Sequence, residues 1–212
     1  VLARRLTAKY RFEEISGEPC LLVRYHRVSP ALLREVNARA VLVSGCDSEF
    51  ASYREEELAG LRAVYREAAW PLLGFCAGLQ LMAQTYGALI DAMGPALAEP
   101  VGNGPNPFPE LGYQPGMKEE HGFTPVRVTQ PHALFKGLGQ PPVFFESHYW
   151  EVKAPPAGFC VLAETDLCPI QAMAHERLPL FGTQFHPEAY DEAHLDGQRL
   201  LANFLSIAGV MS

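Results

Sequence analysis

Gly74-Phe75-Cys76-Ala77-Gly78 sets a cysteine between two glycines. The apolar run Pro71-Leu72-Leu73 precedes it, and Leu79-Gln80-Leu81-Met82-Ala83-Gln84-Thr85-Tyr86 follows with apolar residues at helical spacing. A strand that turns sharply into a helix needs small flanking residues, so that the backbone can pass closely while the central side chain is thrown outward. A thiol at that point also lies at a helix N-terminus, where unpaired N–H groups and the helix dipole favour the thiolate. The chemistry implied is nucleophilic attack by sulfur. The same string also fits a buried structural cysteine at a strand end, since free cysteines are commonly core residues.

A nucleophilic thiol needs a base to take its proton and later return one to a leaving group, and that base needs a third group to hold its ring. Gly182-Thr183-Gln184-Phe185-His186-Pro187-Glu188 ends the apolar run Leu178 to Phe185 with a histidine and a carboxylate two positions apart. Pro187 fixes φ and stops the segment from continuing as a paired strand, so His186 and Glu188 can project from a rigid turn. The alternative is that Glu188 caps the helix that follows.

Positioning these groups falls to alternating strands and helices. Cys20 to Tyr25 and Val41 to Ser44 read as strands, and Glu55 to Ala69 as a helix with Leu58, Leu61, Val64, Tyr65 and Ala68 on one face. After residue 122 the pattern becomes strand-rich: Val126 to Thr129, Val143 to Phe145, Phe159 to Ala163, Ile170 to Ala174 and Leu180 to Phe185. A last helix, Glu192 to Ile207, carries Leu200, Leu201, Phe204, Leu205 and Ala208 on its apolar face. This is an α/β pattern: a mostly parallel central sheet with helices on both faces and a small antiparallel element, with functional groups beyond the carboxyl ends of the strands. The proline-rich stretch Gly94 to Lys118 fits neither helix nor central strand, and reads as a lid or partner-docking loop or as a solvated insertion.

At 212 residues, 48% hydrophobic and 19% charged, the chain can bury one sizeable core, so residues 1–212 read as a single domain. The net charge of −7, from 17 basic and 24 acidic residues, gives no general support for binding nucleic acid or anionic membranes. No apolar stretch approaches a membrane span, and the first residues lack the apolar core of a signal peptide. The five cysteines, Cys20, Cys46, Cys76, Cys160 and Cys168, show no C-x-x-C pair and no zinc-like spacing, which points to a reduced, cytoplasmic setting. Cys20, Cys160 and Cys168 read as core thiols.

The cysteine elbow followed by His-Pro-Glu resembles the class I (triad type) glutamine amidotransferases, and the resemblance covers most of the chain. Val41-Leu42-Val43-Ser44-Gly45 is similar to the family's strand and Ser-Gly loop, Glu120-His121-Gly122-Phe123 to its glutamate-x-glycine-aromatic turn, and Phe145-Glu146-Ser147-His148 to its serine-histidine substrate loop. Leu134-Phe135-Lys136-Gly137-Leu138 is most like the amidotransferase domain of guanosine monophosphate synthetase. Three departures stand out. Ser44-Gly45-Cys46-Asp47 replaces the usual Ser-Gly-Gly-Pro, and Ser147-His148-Tyr149-Trp150 replaces Ser-His-Gly-Asp. The family's first strand has no counterpart, because Val1 to Leu6 is similar to the helix that follows it.

The resemblance implies a flavodoxin-like fold and release of ammonia from the glutamine γ-amide through a cysteine thioester. Cys76 would be the nucleophile, His186 the base and Glu188 its support, with the N–H groups of Ala77 and Cys46 facing the oxyanion. Gly45, Gln80, Ser147, His148 and Tyr149 would line the substrate side. The chemistry calls for no metal and no organic cofactor. The ammonia would pass to a separate synthase partner. The alternatives are a stand-alone γ-glutamyl hydrolase or peptidase acting on a small γ-glutamyl compound, and a non-catalytic binding relative.

Overall fold

The computed structural model describes residues 2–46, 48, 50–94 and 117–211. In chain order the elements are α1 (Leu2–Ser16), α2 (Pro30–Glu35), β1 (Val41–Val43), α3 (Glu55–Glu67), β2 (Leu72–Phe75), α4 (Ala77–Thr85), β3 (Ile90–Ala92), β4 (Glu120–Pro125), β5 (Arg127–Val128), β6 (Val143–His148), β7 (Trp150–Val152), β8 (Phe159–Glu164), β9 (Ala172–His175), β10 (Leu180–Thr183) and α5 (Asp196–Ile207). Nearly all of the Gly94 to Lys118 stretch, and with it the expected lid or docking loop, lies outside the described residues.

Among the described residues, six strands form the main sheet in the order β1-β2-β10-β9-β8-β5, while β3 with β7 and β4 with β6 form two-stranded antiparallel ribbons. Parallel pairing within this sheet is confined to β1 with β2 and β2 with β10. The other half of the sheet, β10-β9-β8-β5, is antiparallel. Strand β2 shows how the layers are built, because successive side chains point to opposite faces. Leu72 packs into a core with Leu58, Leu61, Val64 and Tyr65 of α3 and Leu79 and Met82 of α4. Leu73 and Phe75 pack into a second core with Phe12 of α1 and Leu200, Leu201 and Phe204 of α5. Both leucines are almost fully buried, each worth about 1.5–3 kcal/mol of apolar transfer.

Local sequence supports these elements. Helix α3 opens with Glu55, Glu56 and Glu57 in its first turn, carries Arg66 in its last, and ends where Ala68 adopts φ 48° and donates its N–H to the Val64 carbonyl. Helix α5 buries Leu200, Leu201, Phe204 and Leu205 at helical spacing, with Ala208 just past its end and only half-buried.

One expected strand is absent. Cys20 to Arg24 joins no sheet among the described residues, and Tyr25–Arg27 is a single 3-10 turn. Leu21 and Leu22, 65% and 50% exposed, made the segment apolar enough to read as a strand without giving it a neighbour. Of the three expected core thiols only Cys168 is buried, Cys20 and Cys160 being half-buried.

Candidate active site

The parallel pairing of β2 with β10 brings the two motifs together. Thr183 is in register with Phe75, and the Cys76 N–H donates to the Thr183 carbonyl at 2.7 Å. The chain leaves both strands at the same carboxyl edge, where α/β sheets carry their sites.

Cys76 has φ 48° and ψ −111°, a conformation that non-glycine residues rarely adopt. The flanking glycines explain how it is held. A Cβ on Gly74 would lie 2.6 Å from the Gly78 carbonyl carbon, and one on Gly78 would lie 2.2 Å from the Val43 carbonyl oxygen at the end of β1. Nothing larger fits at either position, so elbow, helix start and β1 touch through backbone alone. The buried Tyr65 hydroxyl donates to the Gly78 carbonyl at 2.9 Å and fixes the first turn of α4. Cys76 itself is its N-cap, directly before Ala77.

His186 is fixed by its backbone, whose N–H donates to the Phe145 carbonyl at 2.8 Å. Pro187 to Ala189 then form a 3-10 turn with Pro187 at its start. The turn brings Glu188 Oε1 to 2.8 Å from His186 Nδ1, both side chains being buried. Glu188 therefore serves the imidazole and not a following helix. Burial opposes charge on His186, but the Glu188 carboxylate and the hydrogen-bonded Cys76 sulfur outweigh it and raise the ring to about 10. With Nδ1 on Glu188, Nε2 is the nitrogen left for the thiol.

Gly45 closes the other side. A Cβ there would lie 3.0 Å from His186 Cε1, 3.3 Å from Cys76 Cβ and 3.7 Å from Cys76 Sγ. Cys46, next to it, donates from its Sγ to the Ser48 carbonyl at 2.9 Å. It is not among the residues with positive φ, so a non-glycine side chain is accommodated there without strain. Ser147 approaches through its backbone, its carbonyl oxygen 4.0 Å from Cys76 Sγ.

The remaining expected substrate residues are placed differently. Gln80 is buried and donates from Nε2 to the Trp150 carbonyl at 2.9 Å and to Gln184 Oε1 at 3.1 Å. Tyr149 is half-buried, and its carbonyl accepts from the Met93 N–H at 2.9 Å, where the β3–β7 ribbon begins. His148 is enclosed, with Nδ1 3.1 Å from the Trp150 carbonyl and Nε2 3.1 Å from Glu120 Oε2 and 3.3 Å from Glu146 Oε2. Burial opposes its charge, yet the two carboxylates hold its ring well above the usual histidine range. Both ring nitrogens thus lie against protein partners.

Arg11 is a site neighbour that the sequence does not reveal. It reaches from α1 to donate to the Glu188 backbone carbonyl, and its guanidinium stacks 4.1 Å from the centre of the Tyr190 ring. An arginine in a polar helix carries no sequence signal for this contact, because the partner is a backbone atom at the far end of the chain.

The family described as "Glutamine amidotransferase class-I" matches residues 16–208. One subunit of the glutamine-hydrolyzing GMP synthase of Pyrococcus furiosus is 36% identical over 145 residues, covering 68% of this chain and 64% of its own length. The protein of the same name from Methanopyrus kandleri is 33% identical over 183 residues, covering 85% of this chain and 81% of its own. A solved structure from Thermoplasma acidophilum, provisionally assigned to the same kind of GMP synthase subunit, is 24% identical. It superposes with a TM-score of 0.72 over 95% of this chain and 87% of that one, showing the same fold. This chain therefore belongs to the class-I glutamine amidotransferase family.

Proposed function

We propose that residues 1–212 form a single domain that hydrolyses the γ-amide of glutamine to glutamate and ammonia and delivers the ammonia to a separate synthase subunit. The observation that carries the reading is the chain of contacts from the Cys76 sulfur through the His186 ring to Glu188, set at a strained elbow. The Pyrococcus and Methanopyrus relatives, each named as one subunit of a glutamine-hydrolyzing GMP synthase, support a purine-nucleotide synthase as the ammonia acceptor. Five free cysteines support a reducing, cytoplasmic setting.

In this reading the Cys76 thiolate attacks the amide carbon, and the N–H groups of Ala77 and Cys46 face the developing oxyanion. The His186 imidazolium gives its Nε2 proton to the departing nitrogen, which leaves as ammonia, and a γ-glutamyl thioester remains. Neutral His186 then takes a proton from water, and the resulting hydroxide attacks the thioester carbon. The thiolate is expelled and glutamate leaves. Glu188 holds the ring and balances its charge through both steps. Gly45 keeps the space above sulfur and imidazole open, while Gln80, Ser147, His148 and Tyr149 shape the substrate side, the first and third from behind.

The test is glutamate release from glutamine and from a panel of N-substituted γ-glutamyl amides, with and without the synthetase partner of a GMP synthase. Slow turnover of glutamine alone, raised severalfold or more by the partner and its nucleotide substrate, is the expected result. Fast hydrolysis of a substituted amide with no response to the partner would move the assignment to a stand-alone γ-glutamyl hydrolase. No turnover under any of these conditions would leave a binding relative.

A further inference from the structure

A second cluster of reactive side chains lies apart from the cysteine elbow. Glu120 of β4, His148 at the end of β6 and Cys168 between β8 and β9 are all buried, and their carboxylate oxygen, ring nitrogen and sulfur lie within 4.8 Å of one another. Glu146 of β6 joins them, with Oε2 3.3 Å from His148 Nε2. It is fully buried, its Oε1 receives no hydrogen bond, and its positive partner is that ring. A buried carboxylate calls for such a partner, a role that a metal ion also fills.

The surroundings orient each group. His148 Nδ1 sits 3.1 Å from the Trp150 carbonyl. A carbonyl only accepts, so Nδ1 carries a proton, and Nε2 is the nitrogen that faces Glu120, Glu146 and Cys168. A metal ion bound there takes the place of the Nε2 proton shared with the two carboxylates. Glu120 is held at both oxygens, by the Thr165 hydroxyl at 2.6 Å and by Gln171 Nε2 at 2.6 Å. The Cys168 N–H donates to the same Thr165 hydroxyl at 3.0 Å. Outer hydrogen bonds of this kind, a carbonyl on the histidine and donors on the carboxylate, are what fix the ligands of a metal ion.

We propose that Glu120, Glu146, His148 and Cys168 form a structural binding site for Zn²⁺. One nitrogen, one sulfur and carboxylate oxygens suit zinc and not magnesium or calcium, which take oxygen donors. Donor atoms around tetrahedral zinc stand about 3.3–3.7 Å apart, and His148 Nε2 already lies 3.1 Å from Glu120 Oε2 and 3.3 Å from Glu146 Oε2. On binding, the Cys168 thiol and His148 Nε2 each release a proton to solvent, and the sulfur and nitrogen form bonds to the metal with no change of oxidation state. A groove of about 1050 Å³, lined by Glu120, Thr165 and Leu167 among others, provides the access path. The ion would tie β4, β6 and the 165–170 loop together. Strand β6 in turn carries the Phe145 carbonyl that holds His186 and the Ser147 carbonyl beside Cys76.

The site is tested in a Cys76→Ser background, which removes the other thiol–imidazole pair. Chelator-stripped protein is titrated with Co²⁺ and then with Zn²⁺. One equivalent of cobalt should give a near-ultraviolet thiolate-to-metal charge-transfer band. One equivalent of zinc should displace it and raise Tm. Adding Cys168→Ser should abolish the band and weaken zinc binding by about tenfold or more. Should that variant not fold, the Cys76→Ser protein is treated while folded with iodoacetamide, which caps accessible thiols, and mass spectrometry confirms that the buried Cys168 is unmodified. The band should persist. Absence of the band in the parent, its survival in a folded Cys168→Ser variant, or its loss while Cys168 is intact would each overturn the proposal.

Discussion

Glu188 Oε1 lies 2.8 Å from His186 Nδ1 although only Pro187 separates the two residues, so one rigid turn carries both the imidazole and the carboxylate that contacts it. The pair is buried, which opposes charge on the imidazole, but its negative partner and the Cys76 sulfur raise the ring to about 10. Removing the ring should cost most of the catalysis. His186→Ala is expected to lower kcat by about 10²–10⁴-fold, whereas Glu188→Gln, which keeps a hydrogen-bonding neighbour, should leave measurable turnover in a steady-state glutaminase assay. Equal loss of activity and of folded protein in the Glu188 variant would show that its role is structural.

The same pair sets a pH dependence. His186 is raised on folding from about 6.5 to about 10, so the folded state holds a proton that the unfolded state gives up. Its contribution to stability is fully present below about pH 6.5, declines as the pH rises, and is lost once the pH passes about 10. Tm should therefore fall between these limits, and Glu188→Gln should flatten the fall by removing one cause of the shift. In the assay, the alkaline limb of kcat/KM should move to lower pH in that variant. An unchanged limb would contradict the assignment of the general acid to His186.

Two of the site glycines, Gly78 and Gly45, should separate stability from activity. Gly78→Ala drives a methyl group into the Val43 carbonyl, 2.2 Å away, and overpacking of this kind costs about 1–3 kcal/mol, readable as a drop in Tm of several degrees. Gly45→Ala meets side chains only, with His186 Cε1 at 3.0 Å and Cys76 Cβ at 3.3 Å. It should retain Tm while losing most activity. The reverse pattern would show that Gly45 supports the fold and Gly78 the chemistry.

Arg11 gives a test of how the turn is held. Arg11→Ala removes its bond to the Glu188 carbonyl and its stacking on Tyr190. A hydrogen bond to a charged group is worth about 1.5–3 kcal/mol, so the variant should remain folded with a lowered Tm and a reduced kcat, leaving KM near its original value. An unaltered kcat would mean that the turn is rigid without α1.

Much of this site was legible in the sequence because its chemistry rests on local strings. Gly-x-Cys-x-Gly demanded a tight strand-to-helix turn, and the contacts of Gly74 and Gly78 show why. His-Pro-Glu demanded a turn that leaves both side chains on one side, and Pro187 provides it. What could not be read depends on distant partners. Leu21 and Leu22 looked like strand residues, yet nothing in an apolar run says whether a neighbouring strand exists to pair with it. His148 looked like a substrate contact, and its enclosure by Glu120 and Glu146 follows only from the β4–β6 register, in which Glu120 faces His148. The cluster with Cys168 shows no motif spacing because β4, β6 and the segment between β8 and β9 each contribute to it. The expected parallel character holds for β1, β2 and β10, the strands that place Cys76 and His186, and gives way to antiparallel pairing beyond them.

The account turns on Cys76 as the nucleophile toward a glutamine carbon. An electrophilic glutamine analogue, incubated with the protein and followed by peptide mass spectrometry, tests this most directly. A single adduct on Cys76, formed in step with the loss of glutaminase activity and slowed by excess glutamine, is the predicted result. An adduct on Cys20, Cys46, Cys160 or Cys168 while Cys76 stays unmodified and activity is lost would contradict it.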